Sequence, residues 1–265
     1  MKRILFLLTF VSVLVLAACG NKEEELTVVA TPVPHAEILE EAKPLLEERG
    51  IKLNVKVVND YVTPNKLLES EDADATFFAH IPFFNNSVEN EGFDFVNLGA
   101  VHLEPIGAYS NDYDSIEDLP DGAKIFLSNN VADEGRVLKF FTDLDLITLK
   151  EGTNEQTARV EDIKENPHNF DFDNTTSPEI MAKAYENNEA DVFFINANFA
   201  IDAGISPAED AIELESADSD YVNIVIARSA DKDHEQLKAL VEVLQGEEIK
   251  KFIEDNYDGA VIPAE

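Results

Sequence analysis

Apolar positions along this chain fall into two rhythms, short unbroken runs and longer stretches at helical spacing, and the two alternate in a βα order. Residues 26–31 (LTVVAT) are rich in β-branched side chains and predict a buried strand. Two prolines, Pro32 and Pro34, stop it, and residues 36–48 place Ile38, Leu39, Ala42, Leu45 and Leu46 at helical intervals. After Gly50, residues 51–58 (IKLNVKVV) alternate as a second strand. A short helix over 64–69 then precedes DADATFFAHIPFF (72–84), which reads as a buried parallel strand carrying His80 at its C-terminal end, followed by a helix over 82–91. Ligands of doubly wound sheets sit at the C-terminal ends of strands, so this placement aims His80 at a ligand.

The same rhythm then restarts. Strands are predicted over 95–104 and 106–110, with a boundary between two lobes near Gly107. A strand over 123–127 leads through Ser128, Asn129 and Asn130 into a helix over 133–144, marked by Val137, Leu138, Phe140, Phe141 and Leu144. The stretch 148–172 is polar and weakly periodic, and its segment 162–170 predicts a short helix cut by Pro167. A helix over 177–187, a strand over 190–195 ending at Asn196, a helical turn over 199–203, a strand over 221–227 and helices over 235–244 and 247–257 complete the chain. Two such lobes facing each other bring His80, Asn129, Asn196 and Asn223 to one cleft.

The N-terminus changes the picture. Lys2 and Arg3 precede an apolar or small-residue run over 4–18 that ends Leu16-Ala17-Ala18-Cys19. A basic segment, a short apolar core and small residues before a cysteine are the pattern of a lipoprotein signal peptide, with residues 1–18 removed and the Cys19 thiol acylated with diacylglycerol. Cys19 is the only cysteine of the 265 residues, so no disulfide forms within the chain. Residues 19–25 then form the lipidated cysteine and its polar tether, and the rest is expected outside the membrane.

Charge narrows the partners. The formal net charge is −34, and loss of Lys2 and Arg3 with the leader takes it to −36. Nucleic acid and anionic lipid head groups are disfavoured as partners by such a body. The acids are scattered, and there is no calcium-loop pattern, glycine-rich phosphate loop or serine nucleophile elbow. No enzyme is indicated and no cofactor is called for. The five histidines, His35, His80, His102, His168 and His234, show no local metal spacing, although His35, His80, His102 and Glu104 could converge on a metal ion from separate strands. Arg136, in the first turns of its helix, suits a carboxylate, and pairing with Asp133 or Glu134 is the competing use of its charge.

The leader together with TPVPHAEIL (31–39), DYVTPNKLLE (60–69), DATFFAHIPF (74–83), HLEPIGAYS (102–110), DLPDGAKI (118–125), SNNVADEGRVL (128–138), DVFFINANFAIDAGISP (191–207), DSDYVNIVIAR (218–228) and GAVIPA (259–264) resembles, in order, the NlpA/MetQ family of methionine-binding lipoproteins. The resemblance covers nearly the whole mature chain. It implies an α/β, two-lobe type II periplasmic-binding-protein fold with two crossover strands, lobe I from 26–106 plus 222–265 and lobe II from 107–221. It also implies a monomeric protein, lipid-anchored on the extracytoplasmic face, that delivers methionine to an ABC permease with a separate ATPase. By position, Arg136 corresponds to the arginine that meets the ligand carboxylate, and Asn196 and Asn223 to asparagines on its polar groups. Tyr61, Phe78, His80, Phe83 and His102 surround its side chain, with Glu104 close by. The chain departs from the family pattern at Asp133, where a second asparagine is usual, and at Ala197, where a glycine is usual. L-methionine, D-methionine, a methionine-containing dipeptide and another small apolar amino acid all remain open as ligands.

Overall fold

A computed structural model describes residues 25–264 of the chain. The signal peptide, Cys19 and the tether up to residue 24 lie outside the described residues, and Glu25 already belongs to the first strand.

Two sheets organise the rest. In the first, β1 (Glu25–Ala30) pairs in parallel with β2 (Lys52–Val57) on one side and β3 (Ala75–His80) on the other. All six residues of β3 are buried, as a central strand covered on both faces requires, whereas edge strand β2 alternates. β4 (Phe95–Leu103) belongs to the same sheet. The second sheet contains β5 (Gly107–Tyr109), β6 (Lys124–Ser128), β9 (Asp171–Thr176), β10 (Val192–Ile195) and β11 (Glu213–Leu214), in the order β11-β5-β10-β6-β9. A separate pair, β7 (Thr148–Leu149) with β8 (Ile163–Glu165), lies beside it. The chain returns to the first sheet as β12 (Val222–Arg228), antiparallel between β3 and β4, and β13 (Ile262–Pro263) closes the β4 edge. It therefore crosses between sheets twice, at residues 104–106 and 215–221.

Each sheet has helices on both faces. Helices Glu37–Glu47, Glu235–Leu244 and Glu247–Asn256 bury Ile38, Leu39, Leu46, Leu240, Leu244 and Ile253 against Val28, Phe77 and Val225. On the opposite face, Leu68 of helix Thr63–Glu69 and Phe83 and Val88 of helix Ile81–Glu89 pack with Phe78, Ile224 and Ile226. In the second sheet, helix Glu134–Asp143 packs Val137, Leu138 and Phe141 on Ile125, Leu127 and Phe194, and Met181, Ala184 and Phe199 cover the other side.

The helix expected within 162–170 is absent. Residues Ile163–Glu165 form β8, and the polar DFDNTT that follows is β9, parallel to β6. That strand lies at a sheet edge, where one partner suffices and polar side chains are tolerated, so no apolar run announces it. The helix predicted from 177 begins at Met181 after a 3-10 turn at Pro178–Ile180.

Candidate functional site

The C-terminal ends of β3, β6 and β10 converge, and the turns after them supply most of a small cavity of about 20 Å3. Tyr61, Phe78, His80, Phe83, Glu104, Arg136, Asn196 and Asn223, all singled out from the sequence, line it. Asn130, Asn198, Ala79 and Ala197 line it as well. Two candidates stand apart. Asn129 faces a neighbouring surface cavity beside Val62 and Pro178, and His102 lies fully buried behind Glu104.

One wall is aromatic. The ring centroids of Phe78 and Phe83 are 5.4 Å apart, and those of Tyr61 and Phe78 are 5.9 Å apart, both within the range of favourable ring pairs. The Tyr61 hydroxyl donates to Asn198 Oδ1 at 2.6 Å, tying the first sheet's side of the cavity to the second. Burial, reinforced by Asp133 and Glu104, pushes that hydroxyl well above its usual range, so it remains a donor.

His80 ends β3 and caps the next helix, its Nδ1 accepting the Phe83 backbone N–H at 3.1 Å. That bond fixes the tautomer, leaving Nε2–H to donate to Asp133 Oδ1 at 3.0 Å. Asp133 occupies the N-cap position of helix Glu134–Asp143 without capping it. Its carboxylate instead accepts from His80, from Asn130 Nδ2 at 2.7 Å and from Asn196 Nδ2 at 3.0 Å, and lies 3.4 Å from Arg136 Nη1. Burial alone would raise this carboxyl, but Arg136, His80 and Asn196 outweigh it and hold it well below the usual carboxylate range.

Arg136 is 4% exposed. Its Nη2 lies 3.3 Å from Glu215 Oε2 and donates to the Glu104 backbone oxygen at 3.3 Å, and its guanidinium stacks over Tyr221 at 4.5 Å. Its Nε has no partner, nor has Asn196 Oδ1. A buried donor and a buried acceptor thus stand unused beside the same cavity, an arrangement that normally calls for a partner.

Behind the cavity, Glu104 Oε1 accepts from His102 Nε2 at 2.7 Å and lies 3.1 Å from His35 Nε2. His35 Nδ1 bonds Thr31 Oγ1 at 2.8 Å, and its Nε2 lies 3.2 Å from Asn223 Oδ1. Burial lowers His35 to about 4 against the pull of Glu104, and burial lowers His102 to about 3. Burial likewise raises Glu104, opposed by the Arg136 guanidinium. Two ring N–H donors on one oxygen favour its ionised form, so we assign neutral imidazoles around a carboxylate. Ligand atoms of His35, His102 and Glu104 lie within 4.8 Å of one another, as a metal would need, yet hydrogen bonds account for those short contacts. His80, the fourth member of the metal set drawn from the sequence, turns its Nε2 to Asp133 instead.

Glu215, Tyr221 and Asn198 were not singled out as site residues. The first two come from the aperiodic second crossing, and only three-dimensional proximity to Arg136 reveals them.

Comparison with known proteins places this architecture. The profile described as NlpA lipoprotein matches residues 26–265. Over 257 residues the chain is 49% identical to the methionine-binding lipoprotein MetQ of Bacillus subtilis (strain 168), covering 94% of this chain and 93% of that one. A nutrient binding protein from Burkholderia cenocepacia, solved bound to methionine, superposes with a TM-score of 0.85 at 33% identity, covering 91% of this chain and 100% of that one. A periplasmic substrate-binding protein of an ABC transporter from Coxiella burnetii gives 0.83 at 30%, covering 90% and 100%. The fold is the two-lobe, type II periplasmic-binding-protein fold of these neighbours, and the chain belongs to the NlpA lipoprotein family.

Proposed function

We propose that this protein captures methionine in the cleft between its lobes and hands it to an ABC importer. Lobe I would comprise 26–106 plus 222–265 and lobe II 107–221, with the two crossings as the hinge. The observation that carries the reading is the unused pair at the cavity, Arg136 Nε as a donor and Asn196 Oδ1 as an acceptor. A zwitterionic amino acid satisfies both at once, its carboxylate on the first and its ammonium on the second.

Beside them the Tyr61, Phe78 and Phe83 rings suit a thioether, whose sulfur gains about 0.3 to 1.5 kcal/mol from each ring contact. The methionine named for the relatives supports the choice of side chain over a metal ion. Contacts spanning the cleft, Tyr61 with Asn198 and His80 with Asp133, favour the closed form, and a ligand that bridges the lobes shifts the population further toward it. No covalent chemistry is assigned to these groups. We place the protein as a monomer on the outer face of the cell membrane through lipid at Cys19, docking on a permease with a separate ATPase. No helix among the described residues is long and apolar enough to cross a membrane.

Titration calorimetry of the soluble body with L-methionine tests the reading. Heat is expected with the parent protein, and Arg136→Ala, which removes the Nε donor and leaves Asp133 and Glu215 buried without their cation, is expected to lose about 2 to 5 kcal/mol of binding. Binding of zinc with none of methionine would overturn it.

A further inference from the structure

The charges around the cavity do not balance. Arg136 is the one fixed cation among the described residues that meet there, and three carboxylates surround it: Asp133 and Glu215 on its guanidinium and Glu104 beneath the cavity. The histidines do not redress the count. His80 Nδ1 accepts a backbone N–H and so carries no proton. His35 and His102 act as neutral donors to Glu104. The other polar groups at the cavity, Tyr61, Asn130, Asn196, Asn198 and Asn223, are uncharged, as is Tyr221 against Arg136.

Asp133 is the deciding group. Aspartate is a favoured N-cap because its carboxylate can accept the first free N–H groups of a helix. Here that carboxylate forgoes the cap and turns into the cleft, between Arg136 and the Asn196 amide, at 2% exposure. An incoming carboxylate must therefore share one guanidinium with two resident ones, whereas an incoming ammonium finds Asn196 Oδ1 free and the Asp133 carboxylate on the same amide.

Resting on the methionine reading above, we propose that Asp133 makes the α-ammonium, not the α-carboxylate, the group this cleft demands of its ligand. The class of ligand is then a methionyl group with a free N-terminal ammonium, whose carboxylate, sharing Arg136 with Asp133 and Glu215, contributes less than that ammonium. A methionine esterified or amidated at that end belongs to it.

Two near-isosteric probes separate the ends: L-methioninamide keeps the ammonium and loses the carboxylate charge, and the α-hydroxy analogue of L-methionine does the reverse. Calorimetry on the parent protein is expected to show the amide binding within about tenfold of L-methionine and the hydroxy acid weaker than the amide by more than about tenfold. Asp133→Asn, which keeps the shape, is expected to cut that amide-to-hydroxy-acid ratio by at least about tenfold. A hydroxy acid that binds the parent as well as the amide, or a ratio unchanged in the variant, overturns the proposal while leaving methionine capture standing. The parent comparison needs no variant to fold. If L-methionine itself fails to bind the parent, the functional reading falls and this inference falls with it.

Discussion

Lowering the pH from 7 to 5 is expected to destabilise this protein, chiefly through two buried histidines. Burial holds His35 at about 4 and His102 at about 3, against 6.5 for a free imidazole. Both folded-state values are depressed, so between pH 6.5 and about 4 the unfolded chain binds protons that the folded chain refuses. Stability is then complete above pH 6.5 and is lost as the pH falls through that window. Two protons give a ceiling of roughly 2.7 kcal/mol per pH unit, at about 1.36 for each. Glu104 works in the opposite sense, because burial raises it and the folded state takes up its proton first. About 2 kcal/mol lost between pH 6 and 5 is therefore the expectation. Asp133 does not contaminate the window, since its depressed carboxyl contributes stability that is lost only below the usual carboxylate range. The assay is urea unfolding followed by circular dichroism at half-unit steps, with His102→Gln as the control that removes one proton from the slope. A free energy of unfolding that stays flat from pH 7 to 5 would refute the assignment of two neutral buried imidazoles.

Tyr61→Phe removes a 2.6 Å bond across the cleft, so methionine affinity should fall by about fivefold, equivalent to roughly 1 kcal/mol, with little change in melting temperature; a melting temperature that falls with the affinity would mean the bond supports the fold rather than closure. Gly135→Ala should destabilise by about 1 to 3 kcal/mol, because the added methyl would meet the backbone oxygens of Glu155 and Gln156 at 2.4 and 2.6 Å and neither can swing aside; thermal melting checks it, and an unshifted transition would contradict the close approach. Cys19→Ser should move the protein from the detergent phase to the aqueous phase in phase partition of expressing cells, and retention in the detergent phase would point to another anchor.

What the sequence disclosed follows from how each feature is encoded. β3 was legible because a strand covered on both faces must be apolar throughout, and a histidine at the end of such a run is conspicuous. The helix bearing Arg136 was legible because Val137, Leu138 and Phe141 serve one face. β9 was not, since an edge strand of DFDNTT satisfies its backbone with one neighbour and needs no apolar pattern. Asn129 and Asn130 show the limit of local reading: of these adjacent amides after β6 only Asn130 reaches the site cavity, and spacing alone does not choose between them. Glu215 was hidden for another reason. Asp133 was marked by its place one turn before Arg136, but among 54 acids nothing in composition marks Glu215 as the second carboxylate on that buried guanidinium.

The acid sensitivity and the ligand preference share one cause. Neutral His35 and His102 donate to Glu104 without cancelling its charge, so the cleft keeps its excess of carboxylates wherever the fold is intact. Were either ring protonated near neutral pH, Glu104 would be compensated and an entering ammonium would gain less from the site. Once corrected for the fraction of amide that carries its ammonium, since an α-amine titrates at about 7.7, the ratio of amide to hydroxy-acid affinity should therefore hold constant from about pH 8 to 6. A ratio that collapses across that range while the protein stays folded would place a proton on one of these imidazoles, and would remove with one measurement the basis of both arguments.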